Sequence, residues 1–287
     1  MATRIAAGLL LLVAATAAMA SPVRIDPTPA ALAEAMRDRG VVLLGEVHDN
    51  GAQHALRLAA LQRLVEGGAR PAIAFEQFDR EHQSDIDRAR RQRPRDADYL
   101  IAQAQGDSGW QWQFYRPFVA LALEYDLPIV AANLSRHDAM RVATDDWRAI
   151  FDAKTIGELK LDRLPAGFRH KQEEAIAIGH CGLLPRNMLP SRARAQIARD
   201  IVMARSIQPY VNRGVVLLAG NGHVRRDIGI PFWLSATNAR RAISIGVLER
   251  DDNGAASESV GNFDVYVITE PAEREDPCRE LRRRERR

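Results

Sequence analysis

The stretch Val41-Val42-Leu43-Leu44-Gly45-Glu46-Val47-His48 indicates the fold class, because an uninterrupted aliphatic run ends abruptly in a glycine followed by polar residues. Continuous rather than alternating hydrophobicity is typical of strands that are covered on both faces, as in a parallel sheet. The same form of run occurs three more times, at residues 72–75, 128–132 and 215–219. The sequence therefore predicts a three-layer α/β/α fold with a mostly parallel central sheet.

Segments of helical length separate these runs. Residues 52–66 follow Asn50, with Gln53 three residues later as in a capping box, and they end before Gly67-Gly68. Residues 41–75 are therefore predicted to form a strand, helix and strand unit. Further helices are predicted at residues 81–91, 117–124 and 192–207.

The later part of the chain carries weaker strand signals. Residues 145–182 show none and are expected to form mobile or helical elaboration over one face of the sheet. A short secondary-structure element is predicted at residues 231–234. Residues 242–248 and 263–268 alternate enough to predict two added C-terminal strands that are more exposed, joined by a polar, hairpin-like loop at 251–261.

The N-terminus has the form of a secretory signal, with Arg4 before an apolar run and Ala18-Met19-Ala20 as a cleavage box. Cleavage is expected between Ala20 and Ser21, and because Ser21 is not a cysteine, no lipid anchor is expected. No later segment approaches the roughly 20 apolar residues of a membrane span. The prediction is a soluble periplasmic or secreted protein, with residues 1–20 removed and residues 21–287 forming one domain.

Two cysteines, Cys181 and Cys278, lie in loop-like contexts of a chain that is expected to leave the reducing cytosol. We expect a disulfide between them that ties the C-terminal tail to the body, with two free thiols or a pair of metal-binding thiols as the alternatives.

The net charge of +3 is concentrated in a basic tail from about residue 279. No nucleic-acid motif accompanies this tail, so nucleic acid is not expected as a partner.

Polar residues follow each of the four aliphatic runs. In open α/β sheets, ligands bind beyond the carboxyl ends of the strands, so these turns are expected to form one functional rim. Two of the turns share the pattern Gly-x-x-His, in which glycine allows a sharp turn at the strand end. The rim residues are Glu46, His48 and Asp49 after the first run, Glu76 and Gln77 after the second, Asn133 after the third, and Asn221 and His223 after the fourth.

Imidazoles and carboxylates at one rim allow more than one chemistry. Glu46, His48, Glu76 and His223 could hold a divalent metal such as zinc, iron or manganese. They could equally form a general acid and base pair without a metal. Each of these residues taken alone is more often a hydrogen-bonded turn residue or a helix cap.

Two further segments are expected near the rim. In the helix at 192–207, for which Ser191 is the expected cap, one face carries Gln196, Asp200 and Met203 and either lines the pocket or is solvated. The aromatic segment at 110–118 either caps the sheet or forms a wall for a flat aromatic ligand. His54 either points toward the rim or is a surface residue. The histidines that receive no role are His82, His137, His170 and His180.

Taken together, these motifs resemble the ChaN family of haem-binding, iron-regulated proteins. The resemblance extends over residues 41–245. It is specific because all of the motifs occur together and in this order. The segments that carry it are residues 44–50, 75–78, 110–118, 195–204 and 219–225.

The wider Tiki superfamily also contains metal-dependent proteases, TraB-like proteins and erythromycin-esterase-like hydrolases. Its members share a pair of Glu and a pair of His at the strand ends, so the resemblance implies Glu46, His48, Glu76 and His223 as the catalytic residues of a hydrolase. For the nearer ChaN family it implies haem binding and iron acquisition instead. We expect the haem-binding function, because the nearer resemblance outweighs the distant one.

The resemblance also implies a set of cofactor contacts, in which arginines meet the haem propionates, and it is compatible with a homodimer around the cofactor. Near relatives are lipoproteins, whereas this chain has no lipid-bearing cysteine. Their haem ligand is a tyrosine, for which Tyr115, Tyr125 and Tyr210 are candidates by position. The expected cofactor-binding residues are His48, Tyr115, Arg199, Met203, His223 and Arg225.

Overall fold

The computed structural model describes residues 21–106, 109–256, 258–276, 278–279 and 282. The expected signal segment at residues 1–20 and the last part of the basic tail, residues 283–287, lie outside the described residues. The strands are β1 (Val23–Arg24), β2 (Val41–Leu44), β3 (Ala72–Asp79), β4 (Ile129–Asn133), β5 (Val215–Leu218), β6 (Ala242–Glu249) and β7 (Val265–Thr269).

Helices separate most of the strands. The α-helices are α1 (Pro29–Met36), α2 (Gly51–Glu66), α3 (Gln83–Gln92), α4 (Ala97–Ala104), α5 (Trp112–Glu124), α6 (Arg136–Thr144), α7 (Ala153–Leu159), α8 (Ala166–Gly179), α9 (Leu189–Ile207), α10 (Asn221–Val224) and α11 (Ala236–Ala239). Short 3-10 turns lie at Arg80–His82, Trp147–Ala149, Leu161–Arg163, Arg186–Met188, Gln208–Tyr210, Ile230–Trp233 and Val260–Asn262.

The seven strands form one sheet in the order β1-β7-β6-β2-β5-β3-β4, and every pair in it is parallel. All four residues of β2 and of β5 are buried, as their continuous hydrophobicity predicts. The α/β fold class is confirmed. The four predicted runs are β2, β5, β3 and β4, which are neighbours in the sheet, so their carboxyl ends lie side by side.

The predicted strand, helix and strand unit is present, with one difference. Asn50 caps α2, since its Oδ1 accepts a hydrogen bond of 3.1 Å from the backbone N–H of Gln53. However, β2 and β3 are not neighbours, because β5 inserts between them and pairs Val215 with Val41 on one side and with Ala72 on the other. The late strand β5 therefore joins the two halves of the site.

Several sequence-based boundaries need correction. β6 is not an exposed added strand: it lies between β2 and β7, and seven of its eight residues are buried. Residues 251–261 are not a hairpin, because β6 and β7 run parallel. The helix α9 begins at Leu189, and Ser191 lies within it, donating to the carbonyl of Met188 at 2.9 Å. β1 and α1 were not predicted at all.

Residues 145–182 form mainly short helices, in agreement with the helical alternative predicted for that segment. Cys181 and Cys278 form the expected disulfide across a separation of 97 residues. Closing a loop of that length contributes about 4.7 kcal/mol in the chain-entropy model. Among the described residues, no helix is long and apolar enough to cross a membrane.

Candidate functional site

The carboxyl ends of the four central strands form the floor of a cleft of about 980 Å³. Its walls come from α6, α8 and α9 on one side and from the segment before α5 and the C-terminal segment on the other. This is the rim at which the sequence predicted a functional site. The floor contains Glu46, His48, Glu76, Asn133, Gly220, Asn221 and His223.

Glu46 is held by partners on both carboxylate oxygens. Oε1 accepts hydrogen bonds from the hydroxyl of Tyr115 at 2.5 Å and from Nδ1 of His48 at 2.8 Å. Oε2 contacts Nη1 of Arg57, which is fully buried and also donates from Nη2 to the carbonyl of Leu44 at 3.1 Å. Burial lowers the pKa of Arg57 to about 10, so the guanidinium stays charged at neutral pH. Glu46 is thus a fixed anchor for His48.

His48 is the most accessible ionisable group on this part of the floor, with 45% of its side chain exposed. Because the carboxylate of Glu46 can only accept, Nδ1 of His48 carries a proton, and Nε2 of the neutral ring keeps its lone pair. Nε2 lies 4.0 Å from Oε1 of Glu76, and the ring of Trp110 packs edge-on against the imidazole at 4.9 Å. His48 therefore presents a basic nitrogen to the cleft.

His223 lies between two carboxylates and is almost fully buried. Its Nδ1 is 2.5 Å from Oδ1 of Asp200, and its Nε2 is 3.3 Å from Oε1 of Glu76. Burial alone would lower the pKa of His223, but Glu76 and Asp200 together raise it to about 10. His223 is therefore an imidazolium at neutral pH, and both of its nitrogens are occupied.

The two carboxylates respond in opposite ways. Burial opposes ionisation of Glu76, but His223, His48 and the backbone N–H of Gly220, which donates to Oε2 at 2.7 Å, lower its pKa. Burial dominates for Asp200 and raises its pKa to about 6, against the opposing effect of His223. Glu76 and Asp200 thus both face the buried positive charge of His223.

Both Gly-x-x-His turns need glycine because they approach each other closely. A Cβ on Gly220 would lie 2.8 Å from Nε2 of His48, and a Cβ on Gly45 would collide with Oδ1 of Asn221. Neither glycine has a positive φ, so close approach rather than a sharp turn is the reason. Asn221 in turn pairs with both backbone groups of Val247, which ties the second turn to β6.

A sequence model described as haem-binding uptake, Tiki superfamily, ChaN matches residues 32–234. The chain belongs to the ChaN family. No curated protein sequence matches it. The solved structure of ChaN of Campylobacter jejuni, described as showing cofacial haem binding, is 22% identical. That alignment has a TM-score of 0.61 and covers 82% of this chain and 89% of the other, which supports the same fold.

Two further solved structures align over most of the chain at lower similarity. The type III effector HopBA1 is 14% identical with a TM-score of 0.48, covering 88% of this chain and 96% of the other. A mutant of the erythromycin esterase EreC in its open conformation is 14% identical with a TM-score of 0.45, covering 87% of this chain and 81% of the other.

Not every expected cofactor contact lies in the cleft of this ChaN-family chain. Met203 is fully buried in the hydrophobic core beside β4 and β5, so it is not placed to touch a ligand. Arg225 pairs with Asp227 through two hydrogen bonds of 3.0 Å and does not line the cleft. Tyr115 is fully buried, and its hydroxyl is held by Glu46. The structure places none of these three side chains on the lining of the cleft.

The alternative of a divalent metal is not supported. Within the described ranges, no group of three or more His, Cys, Asp or Glu residues is arranged to hold a metal ion. The donor atoms explain this, since Glu46 is held by Arg57 and Tyr115, and both nitrogens of His223 face carboxylates. We therefore derive no step through a metal held by these residues.

The outer part of the cleft contains a histidine that received no role from the sequence. His180 follows α8 and lines the cleft with Met140 and Ile176. Its Nδ1 lies 2.8 Å from the carbonyl oxygen of Ile176. The one sequence signal that could have drawn attention to it is its neighbour Cys181, for which a disulfide was expected.

Cationic side chains surround this outer region. Arg199, which was expected to contact the cofactor, lines the cleft and donates to Oδ1 of Asn133 at 3.1 Å and to the carbonyl of Leu134 at 2.9 Å. Arg136 and Arg192 also line it, and in the described part of the chain neither forms an ion pair with a carboxylate. The outer cleft is therefore an apolar surface bordered by unpaired positive charge.

Proposed function

We propose that this protein is an exported haem-binding protein that takes part in haem or iron acquisition. The family supports haem as the ligand class, and the cleft offers the chemistry that such a ligand needs. The observation that carries the proposal for this chain is the environment of His180. The Cys181–Cys278 disulfide supports export, because such bonds persist in oxidising compartments.

His180 has the hydrogen bonding of a metal-binding histidine. A carbonyl oxygen can only accept, so Nδ1 of His180 donates to Ile176, and Nε2 of the neutral ring carries a lone pair. Histidines that bind metals commonly donate their other ring N–H to a backbone carbonyl in this way. Histidine is also a common protein ligand of haem iron. We therefore assign His180 as the iron ligand in this proposal.

The surroundings of His180 suit the rest of a haem. Met140, 40% exposed, and Ile176 provide apolar contact for a flat ring. Arg136 and Arg192 have no carboxylate partner among the described residues, so they are available to two propionates, with which guanidinium groups form strong charge-assisted hydrogen bonds. Bound haem would supply the iron that such an uptake protein carries.

A titration tests this proposal. Hemin is added to the purified protein with its disulfide intact, and a saturable Soret band is expected. His180→Ala should weaken hemin binding at least about tenfold, since even the partners of metal ligands contribute that much. His170→Ala is the matched control, because His170 is exposed on the same helix α8. A wild-type titration without a saturable band would overturn the proposal, and chromatography with and without hemin tests the expected homodimer.

A metal-independent hydrolase is the second candidate, and the geometry of His48 favours it. Nε2 of His48 is a basic nitrogen at the cleft floor, and the carboxylate of Glu46 would stabilise the imidazolium that forms when His48 takes a proton from water. A panel of activated esters and amides tests this candidate. Hydrolysis should fall to the blank rate in His48→Ala and persist in His82→Ala, whose histidine pairs with Asp85 and does not line the cleft. If wild type never exceeds the blank rate, the candidate is excluded for those substrates.

A further inference from the structure

The C-terminal segment follows β7 and contributes Arg274 to the lining of the cleft. We call residues 270–276 together with Cys278 the strap. Its first part is fixed above the turn after β2, where Nδ2 of Asn50 donates to the carbonyl of Glu270 at 3.0 Å. Two residues later, the backbone N–H of Ala272 donates to Oε1 of Glu249 at 2.9 Å. The strap thus begins at the side of the cleft formed by β2 and β6.

Arg274 fastens the middle of the strap. Its Nε donates to Oδ2 of Asp49 at 2.8 Å, and its Nη1 donates to Oε2 of Glu249, also at 2.8 Å. Glu249 is buried at the end of β6, and Arg274 and Asp49 both line the cleft. Since charge-assisted hydrogen bonds to a buried carboxylate are among the stronger polar contacts, this part of the strap is firmly seated.

The far end of the strap is held covalently on the opposite side of the cleft. Cys278 is bonded to Cys181, which directly follows His180 at the end of α8. Cys181 has a φ of 59°, in the left-handed region that residues other than glycine seldom adopt. The disulfide therefore holds both the strap and the turn that carries His180.

We infer that the strap and the turn that carries His180 together form a movable wall of the ligand cleft, and that a dithiol reductant loosens this wall by reducing the Cys181–Cys278 disulfide. In that reaction the dithiol loses two electrons and two protons and becomes a disulfide, while Cys181 and Cys278 gain them and become thiols. The strap then keeps its noncovalent contacts, among them those with Asn50, Glu249 and Asp49. The release of haem by this opening rests on the proposed function, whereas the opening itself does not.

The first measurement is independent of any ligand. Amide hydrogen exchange is followed in peptides that cover the strap and the turn at residues 178–183. We compare the oxidised protein, the protein reduced with dithiothreitol, and a Cys181→Ser/Cys278→Ser variant. Exchange in both segments should be about tenfold faster without the disulfide, because local opening sets the exchange rate. Arg37→Gln is the control, since it breaks the exposed Arg37–Glu34 pair outside the cleft and should change neither segment.

The second measurement follows the ligand. Hemin-loaded oxidised protein and the hemin-loaded double variant are mixed with an excess of an apoglobin, and the rate of haem transfer is recorded. The double serine variant is used because a free thiol can itself bind haem iron. Transfer should be about tenfold faster from the variant, in parallel with the exchange rates. Arg274→Gln, which keeps the disulfide, should give an intermediate rate.

The outcomes separate the two proposals. Equal exchange rates in the presence and absence of the disulfide would overturn the inference, and so would faster exchange with an unchanged rate of haem transfer. If the oxidised protein takes up no hemin, the proposed function fails. In that case the exchange rates alone test whether loss of the disulfide opens the strap. Faster exchange supports the opening, and equal exchange rejects it.

Discussion

Asp200 Oδ1 lies 2.5 Å from His223 Nδ1, so a carboxylate on α9 holds the histidine that follows β5. Glu76 faces the other nitrogen of the same ring at 3.3 Å. Because the three groups are buried, their interaction is little screened by solvent. The charge state of His223 therefore depends on two partners from different parts of the chain, and this leads to a prediction about pH.

The stability of the protein should fall as the pH rises from neutral. The pKa of His223 is raised from its ordinary value of 6.5 to about 10 in the folded protein. A raised pKa means that the contribution of His223 to stability is complete below pH 6.5 and is lost as the pH rises through about 10. Urea unfolding between pH 6 and pH 10 measures this effect.

Asp200→Asn should weaken that pH dependence, because it removes one of the two carboxylates that raise the pKa of His223. NMR titration of the imidazole should show a lower pKa in the variant than in wild type. Asp162→Asn is the control, since that carboxylate is exposed and its ion-pair partner among the described residues is Arg148, at 3.5 Å. An unchanged titration of His223 in Asp200→Asn would contradict the assigned role of Asp200.

Gly220→Ala should destabilise the protein and displace His48. The added methyl group would lie 2.8 Å from the imidazole, and overpacking of this kind costs about 1–3 kcal/mol. Gly222→Ala is a close control, because a Cβ at Gly222, two residues later, meets no atom within 4 Å. Denaturant midpoints of the two variants check the prediction, and equal midpoints would show that the turn tolerates a side chain.

Arg57→Met should cost about 3–5 kcal/mol, the penalty for leaving a buried charge without its partner. The charge in question is Glu46, which lies against Arg57 in the interior. Adding Glu46→Gln should recover part of the loss, because the unpaired charge is then gone. Arg63→Met, at an exposed position of α2, should have little effect. Unfolding free energies of the four proteins form the test.

Tyr115→Phe should retain hemin binding, in contrast to the expectation that a tyrosine binds the iron. Its hydroxyl donates to Glu46 and is buried, so its loss should cost about 1–2 kcal/mol of stability and leave the outer cleft unchanged. The comparison of Soret titrations for Tyr115→Phe and His180→Ala distinguishes the two candidate ligands. Loss of the band in Tyr115→Phe alone would return the ligand role to the tyrosine.

The floor of the site was predictable because its residues lie at or shortly after the carboxyl-terminal parts of buried strands. Glu46 and His223 could be assigned to one rim without a structure, since parallel strands end at the same edge. The helical spacing of Gln196, Asp200 and Met203 likewise identified one face of α9. That spacing does not show which residues of the face reach the cleft. Gln196 lines the cleft, whereas Met203 packs against the sheet below it.

Other features depend on long-range contacts that no local pattern contains. The central position of β6 follows from its pairing with β2, although its sequence alternates like that of an exposed strand. His180 gains its orientation from a carbonyl of the preceding turn and its location from the disulfide beside it. Neither contact has a signature in composition or spacing.

The place of β2 in the sheet has a consequence for the order in which the protein can fold. Val41 pairs with Val215 on one side and with Ala242 on the other, so both neighbours of β2 come from the last third of the chain. Contacts so distant in sequence form slowly, since a long loop must close before they are made. A nascent chain that ends before Val215 lacks both partners of its second strand. We therefore expect assembly of the central sheet to wait until synthesis is nearly complete, which would leave the chain loose enough for transport across a membrane.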